Sequence, residues 1–408
     1  MKYRLKKHNS RLNSTIALES SKSESNRALI INALAGGNVR DIHNLSNARD
    51  TQTMLRLLSN ESNEYDVKDA GTTMRFLTAF LSIKGHDAMI TGTERMQQRP
   101  IGPLVDSLRQ LGADIKYLEK EGFPPLCINR IENQMANEIA IPGNISSQYI
   151  SALLMIAPCL KNGLTVTLTT EVYSRPYIQM TLDLMEAFGV TSEWVGEKIS
   201  VASQAYKATD YTIEGDWSGA SYWYGFMALS PLSGTLNLPG IRSNSTQGDR
   251  EIAGIMSKMG IATHFASEKV KLLKHEEFSN ELSLDFRNCP DLAQTVMVIA
   301  AASDITLTMT GLESLKIKET DRIAAMRNEL KKINASLVEE SGKWILYPSS
   351  NLPDSTAIKT YEDHRMAMAF APLCQLMDVT IDDPLVVEKS YPRFWKEVKS
   401  LGVEIETI

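Results

Sequence analysis

Cysteine is scarce in this chain. Four occur among 408 residues, at Cys127, Cys159, Cys289 and Cys374, each in or beside an apolar segment. No metal-binding or redox spacing links them, so buried free thiols are expected. Long apolar runs are also missing: "YISALLMIAPCL" and "TVMVIAAA" fall far short of a membrane span. The basic start "MKYRLKKHNS" leads into polar residues, which argues against a secretory signal and makes the cytoplasm the expected location. Nor is there a surplus of positive charge. With 43 Lys and Arg against 49 Asp and Glu, the net charge of −6 disfavours nucleic acid or an anionic membrane as the main partner. Any basic site must therefore be local. What remains is an ordinary globular composition, 43% hydrophobic and 23% charged, long enough for two or three domains.

One pattern recurs along the chain. "LVDSLRQLGADIKYL", "TLDLMEAFGVTSEWV", "IAGIMSKMGIATHFA", "MRNELKKINASLVEE" and "FWKEVKSLGVEIETI" each read as an amphipathic helix, a glycine-type stop and then alternating strand residues. "TQTMLRLLSNESNEY" is a degenerate sixth. A second set of segments is more uniformly apolar, as suits buried helices, and begins near Ser25, Thr72, Ser147, Ala220, Asp291 and His364. The spacings between those starts are 47, 75, 73, 71 and 73 residues. A period near 73 exceeds the common solenoid repeats and suits a compact βαβαββ unit, with the first unit short by about 25 residues. Three units per domain would place the division around residues 211–215, where no Pro/Ser/Gly-rich linker marks it.

The starts of the apolar helices carry the chemistry. "SSKSESNR", "DAGTTMR", "GNISSQ", "EGDWSGAS", "CPDLAQ" and "EDHRMAM" combine small or hydroxyl residues with a charged or amide group. In the first of these Ser25 is a candidate cap, but capping asks for neither Lys22 nor Arg27. "ERMQQRPIG" adds Arg95 and Arg99, "LKIKETDRI" adds Lys318, Glu319 and Arg322, and "VEKSYPRF" adds Lys389. Cations gathered at helix entries favour a multiply anionic ligand. Asp291, next to Pro290, reads equally as a helix cap or a catalytic acid.

"SSKSESNRAL", "AGTTMR", "RMQQRPIG", "NISSQYISALLM", "SRPYIQMTL", "GDWSGASYW", "KETDR" and "DHRMAM", in that order, resemble the 5-enolpyruvylshikimate-3-phosphate synthases, an enolpyruvyl transferase family, over essentially the whole chain. The resemblance implies an α/β (α+β) protein of two similar domains, each of three βαβαββ units in pseudo-threefold arrangement. Their expected boundaries are 1–20 with 214–408, and 21–213. It implies transfer of the enolpyruvyl group of phosphoenolpyruvate to the 5-hydroxyl of shikimate 3-phosphate by a monomer that uses no metal or organic cofactor, with glyphosate as an expected inhibitor.

Position by position, the resemblance assigns Lys22, Ser23, Arg27, Ser146, Ser147, Gln148, Ser174, Asp291, Ser314 and Lys318 to shikimate 3-phosphate. Lys22, Gly71, Arg99, Gln148, Arg322, Arg365 and Lys389 are assigned to phosphoenolpyruvate. Asp291 would take the hydroxyl proton and Glu319 would protonate the methylene carbon, with Lys22 able to exchange roles with Glu319. The chain departs from the family at several places. Glu19 and Ser20 stand where Pro-Gly is usual, Asp69 and Ser314 each replace an asparagine, and Phe76 replaces a proline. Asp69 would add a negative charge that either lowers phosphoenolpyruvate affinity or is neutralised by Arg75, and the missing part of the first unit would be an outer helix–strand piece. Two rivals stay open, a UDP-N-acetylglucosamine enolpyruvyl transferase and a non-catalytic phosphometabolite-binding homologue. The first commonly has a cysteine just before its Arg-Pro motif, which residues 94–98 lack, and the second would not need both Asp291 and Glu319.

Overall fold

The computed structural model describes residues 1–59, 62–266, 269–275 and 278–408. The chain divides into two compact units: Ser20–Ile213, here the N-terminal unit, and Met1–Glu19 with Glu214–Ile408, the C-terminal unit.

The amphipathic helices predicted from the repeat are present at Gly102–Leu111, Arg175–Ala187, Ile252–Ser257, Arg322–Lys331 and Phe394–Ser400. The stop after each is left-handed: Gly112, Gly189, Gly260, Asn334 and Gly402 all have positive φ, between 61° and 108°. That conformation ends a helix by turning the chain back, and glycine or asparagine adopts it at least cost. The sixth stop, Asn60, lies outside the described residues.

Four repeats then share one sheet plan, two parallel strands followed by an antiparallel pair. In the N-terminal unit, Glu64–Asp66, Ala88–Thr91, Leu126–Asn129 and Asp114–Tyr117 form one sheet in that order. Glu138–Ile141, Leu164–Leu168, Lys198–Val201 and Glu193–Val195 form another. In the C-terminal unit the same order is found in Asn13–Thr15, Thr235–Pro239, Lys269–Lys274 and Ile261–Ala266. It recurs in Glu281–Asp285, Thr306–Thr310, Lys343–Tyr347 and Ser336–Glu340. The last repeat has only one strand after its outer helix, Ile405–Thr407. The place beside it is taken by the first strand of the chain, Lys2–Leu5, which lies antiparallel between it and Asp378–Asp382. The two ends of the sequence thus complete one sheet.

The first repeat is abbreviated differently from expectation. Its outer helix, Arg49–Leu58, is retained, and its sheet is only the parallel pair Tyr211–Thr212 and Ile42–His43. Among the described residues no antiparallel pair follows that helix, so what is missing is the hairpin and not a helix–strand piece. The helix could survive because Met54 and Leu57 are buried in the core of the N-terminal unit, whereas a hairpin adds strands only at the sheet edge.

Inside each unit the inner helices pack on one another: Lys22–Leu34, Gly71–Lys84 and Ser147–Ile156 in one, Trp217–Leu229, Ala293–Ala302 and His364–Phe370 in the other. They are apolar on nearly all sides because neighbours surround them. Cys289 and Cys374 are buried as expected, but Cys127 is half-buried and Cys159 exposed. Strand alternation turns Cys127 away from the core that Leu126 and Ile128 enter, and Cys159 ends a surface turn. Leu5, fully buried in the sheet that joins the chain ends, tests that closure: Leu5→Ala should cost about 2–4 kcal/mol in urea denaturation. An unchanged midpoint would mean that the N-terminal strand is dispensable.

Candidate active site

In the C-terminal unit the site is an alternation of buried charges. Asp291 sits in the tight turn Pro290–Leu292 that leads into an inner helix, and no side-chain cap is made there. Its Oδ1 accepts from Arg322 Nη1 at 2.9 Å and its Oδ2 from Arg365 Nη2 at 2.8 Å, with Lys318 Nζ at 3.9 Å. Arg322 opens the outer helix Arg322–Lys331 and is 1% exposed. It also donates from Nη2 to Glu319 at 2.9 Å and from Nε to the fully buried Asp363 at 2.6 Å. Lys389 Nζ approaches Glu319 from the other side at 3.8 Å. Asp363 caps its own helix by accepting from the Arg365 backbone N–H at 2.9 Å, so one carboxylate binds the Arg322 guanidinium and the helix start that carries Arg365. Tyr222 Oη accepts from Arg365 Nη1 at 3.2 Å.

The charges set one another's proton affinities. Burial alone would push the Asp291 carboxyl up, but Arg365, Lys318 and Arg322 outweigh it and hold it well below the ordinary carboxylate range. Burial would lower Arg322, yet Asp363, Glu319 and Asp291 hold it above its ordinary value. Lys318 is lowered, chiefly by burial, against the pull of Asp291. Burial, reinforced by Asp291, pushes Asp249 up to about 7. Ser314, half-buried, lies in the turn Glu313–Ile317 just before Lys318.

The N-terminal unit gathers its candidates at the starts of its inner helices. Lys22 is the first helical residue, and its Nζ lies 3.2 Å from Asp50, a buried carboxylate that the sequence analysis missed. The cap is Ser21, whose Oγ accepts from the Glu24 backbone N–H. Ser25 is instead buried one turn in, where its Oγ accepts from the Ser46 N–H at 3.1 Å, so its expected capping role is corrected. Ser23 is half-buried beside Lys22. Thr73 donates to the Asp50 carbonyl at 3.3 Å, and Gln148 Nε2 to Thr72 at 3.0 Å. With the Lys22–Asp50 pair, these bonds bring the three inner-helix starts together. Ser146 caps the third of them and Ser147 opens it.

Arg27 is 2% exposed and commits four N–H groups to the protein: to Thr181 at 2.7 Å, to the Ser23 carbonyl at 3.0 Å, and to Ser151 and the Tyr177 carbonyl at 3.2 Å each. Phe76, noted as a departure, lies 5.2 Å from its guanidinium carbon and so covers the cation with a ring face. Burial lowers Arg27 to about 10. Ser174 stands left-handed, φ 55°, immediately before the helix that carries Thr181. Arg75 donates to the Gly71 carbonyl in its own helix at 3.0 Å and to the Pro100 carbonyl at 3.1 Å, and Asp69 pairs with Arg49 at 3.1 Å. Asp69 thus has a cation that the sequence analysis did not foresee, since Arg49 precedes it by 20 residues and meets it only in the fold.

Comparison with known proteins settles the family of the chain. The profile described as EPSP synthase (3-phosphoshikimate 1-carboxyvinyltransferase) matches residues 6–60 and 57–398. The chain belongs to the EPSP synthase family. The two matched segments meet at residues 57–60, where the first repeat lacks its hairpin. The chain is 47% identical over 404 residues to a 3-phosphoshikimate 1-carboxyvinyltransferase of Bacteroides fragilis, covering 97% of both chains. It is 37% identical over 419 residues to that of Neisseria meningitidis serogroup B, covering 95% of this chain and 96% of the relative. A solved EPSP synthase of Acinetobacter baumannii shares the fold with a TM-score of 0.79, at 20% identity and 99% coverage of both chains.

Gly71 leaves room for Arg99, which the resemblance assigns to phosphoenolpyruvate. A Cβ there would lie 2.6 Å from Arg99 Nη1 and 2.8 Å from Arg75 Nη1, and Arg75 is anchored. Gly71→Ala should therefore displace Arg99 and raise the KM for phosphoenolpyruvate about tenfold, the equivalent of one charge-assisted hydrogen bond. Steady-state kinetics check this, and an unchanged KM would show that Arg99 does not serve that substrate.

Proposed function

We propose that this chain, as a member of its family, transfers the enolpyruvyl group of phosphoenolpyruvate to the 5-hydroxyl of shikimate 3-phosphate, releasing phosphate, and that it does so as a cytoplasmic monomer. The domain boundaries we assign are 1–20 with 214–408, and 21–213. The observation that carries the residue assignment is that Asp291 and Glu319 share Arg322, while Asp291 also holds Arg365. Phosphoenolpyruvate brings a phosphate and a carboxylate, which compete with those acids for the same cations. As Arg322 and Arg365 turn to the substrate, Asp291 loses two of the three cations that depress its proton affinity, keeping Lys318. Its basicity therefore rises when a substrate arrives.

Asp291 accepts the proton of the attacking hydroxyl and Glu319 delivers one to the methylene carbon. The adjacent carbon gains cationic character and bonds to the hydroxyl oxygen. Glu319, ionised by that step, then takes a proton back from the methyl group as the C–O bond to phosphate breaks and the phosphate leaves with the proton held by Asp291, which restores the double bond and both carboxyl groups. Lys389, beside Glu319, with Arg322, Arg365, Arg99 and Gly71, is assigned to phosphoenolpyruvate. Ser23, Arg27, Ser146, Ser147, Ser174, Ser314 and Lys318 are assigned to shikimate 3-phosphate, and Lys22 and Gln148 to both. The single N–H that Arg27 keeps after its four protein bonds supports an orienting contact and not a bidentate clamp.

The test is phosphate release, which should require both substrates together. Glu319→Gln should lower kcat about 100-fold or more, as loss of a general acid does. Equal rates for the two proteins would remove Glu319 from the mechanism, and an inactive wild type would favour the binding homologue.

A further inference from the structure

Asp249 belongs to none of these assignments, yet it reaches the same arginine. It lies in the tight turn Gly248–Glu251, within the polar stretch "SNSTQGDRE" that connects strand Thr235–Pro239 to helix Ile252–Ser257. Its side chain is buried at 2% exposure, and its Oδ2 accepts a hydrogen bond from the Ser218 hydroxyl. Ser218 Oγ in turn faces Arg365 Nη2 at 3.4 Å, and that nitrogen donates to Asp291 at 2.8 Å. Carboxylate, hydroxyl, guanidinium and catalytic carboxylate thus form one chain.

We propose that Asp249 is a positioning residue for phosphoenolpyruvate: acting through Ser218, it holds the Arg365 guanidinium in the orientation from which that group meets the anion. The inference rests on the assignment of Arg365 to phosphoenolpyruvate. The hydroxyl has a single proton. While Asp249 is ionised, that proton points to it and the oxygen lone pairs face Arg365. Once Asp249 is protonated, it donates to the same oxygen, and the Ser218 proton must turn away from it, into the space of the guanidinium. The charged and titratable neighbours that face Asp249 are Asp216, which caps the helix carrying Ser218, together with Asp291, Arg365 and the Cys289 thiol. Burial and the two aspartates push Asp249 up to about 7, which puts the change of state near neutral pH. A carboxylate kept only to tether its turn would not link that titration to one substrate.

The experiment is steady-state kinetics of the full chain between about pH 5.5 and 9. It compares wild type, Asp249→Asn, Ser218→Ala, the double variant and Arg365→Lys. Each of the two single variants should raise the phosphoenolpyruvate KM about tenfold, the loss of one hydrogen bond to a charged group, with kcat and the other substrate's KM changed less than about threefold. The double variant should be no worse than either single one. The ratio of wild-type to Asp249→Asn kcat/KM should climb from near one at about pH 6 to about tenfold at pH 8, and taking the ratio cancels the substrate's own titration. Ser218→Ala, at a half-buried site, carries the test if Asp249→Asn does not fold. A ratio that does not vary with pH, a loss confined to kcat, additive variants or unchanged kinetics would overturn the proposal. If Arg365→Lys leaves the phosphoenolpyruvate KM unchanged, the arginine assignment fails and the proposal with it. If Arg365→Lys raises that KM while Ser218→Ala and Asp249→Asn do not, only the role of Asp249 is lost.

Discussion

Everything in the C-terminal unit's site depends on two buried arginines, Arg322 and Arg365. A guanidinium out of water must be neutralised, and breaking a buried pair commonly costs about 3–5 kcal/mol. Arg322 meets that demand with Asp363, Glu319 and Asp291, and Arg365 with Asp291, Ser218 and Tyr222. Two of these carboxylates, Asp291 and Glu319, are the ones assigned to proton transfer, so in the proposed mechanism an incoming anion changes the acids by taking over their partners. Asp363, fully buried and also a helix cap, is the partner of Arg322 that has no assigned part in proton transfer.

The repeat explains how one chain assembles so many charges at so few places. Each repeat contributes an inner helix whose start carries a short polar motif, and the three inner helices of a unit pack together. Ser218, Asp291 and Arg365 come from three successive repeats and meet within hydrogen-bond distance. Lys22, Thr73 and Gln148 are brought together in the same way, through Asp50 and Thr72. The loss of the first repeat's hairpin leaves this arrangement intact, because the inner and outer helices of that repeat are both kept.

Much of this was legible in the sequence. The spacing near 73 residues marked the repeats, and the stop residues Gly112, Gly189, Gly260, Asn334 and Gly402 all adopt the left-handed turn their identity suggests. Such features are local, set by backbone sterics and by the period of apolar residues. The motifs that named the family also named most of the charged residues now found clustered in the C-terminal unit. Less legible were the partners. Asp50 hid in the entry of a degenerate helix, Ser218 inside a quoted motif as one small residue among several, and Asp249 in a loop that no motif covered. Phe76 was noticed only as an odd residue until its ring was found against Arg27.

By itself, the sequence determined the family, the six-fold recurrence, the helix ends and the types of group available for chemistry, since each depends on residues near one another in the chain or on ordered motifs. The tertiary structure decided which acid meets which base. Asp69 went to Arg49, Ser25 to the Ser46 backbone and Lys22 to Asp50, and Asp291 came to lie between two arginines drawn from positions 31 and 74 residues further on. Electrostatic pairing falls off over a few ångströms, and only folding brings such separated residues within that range.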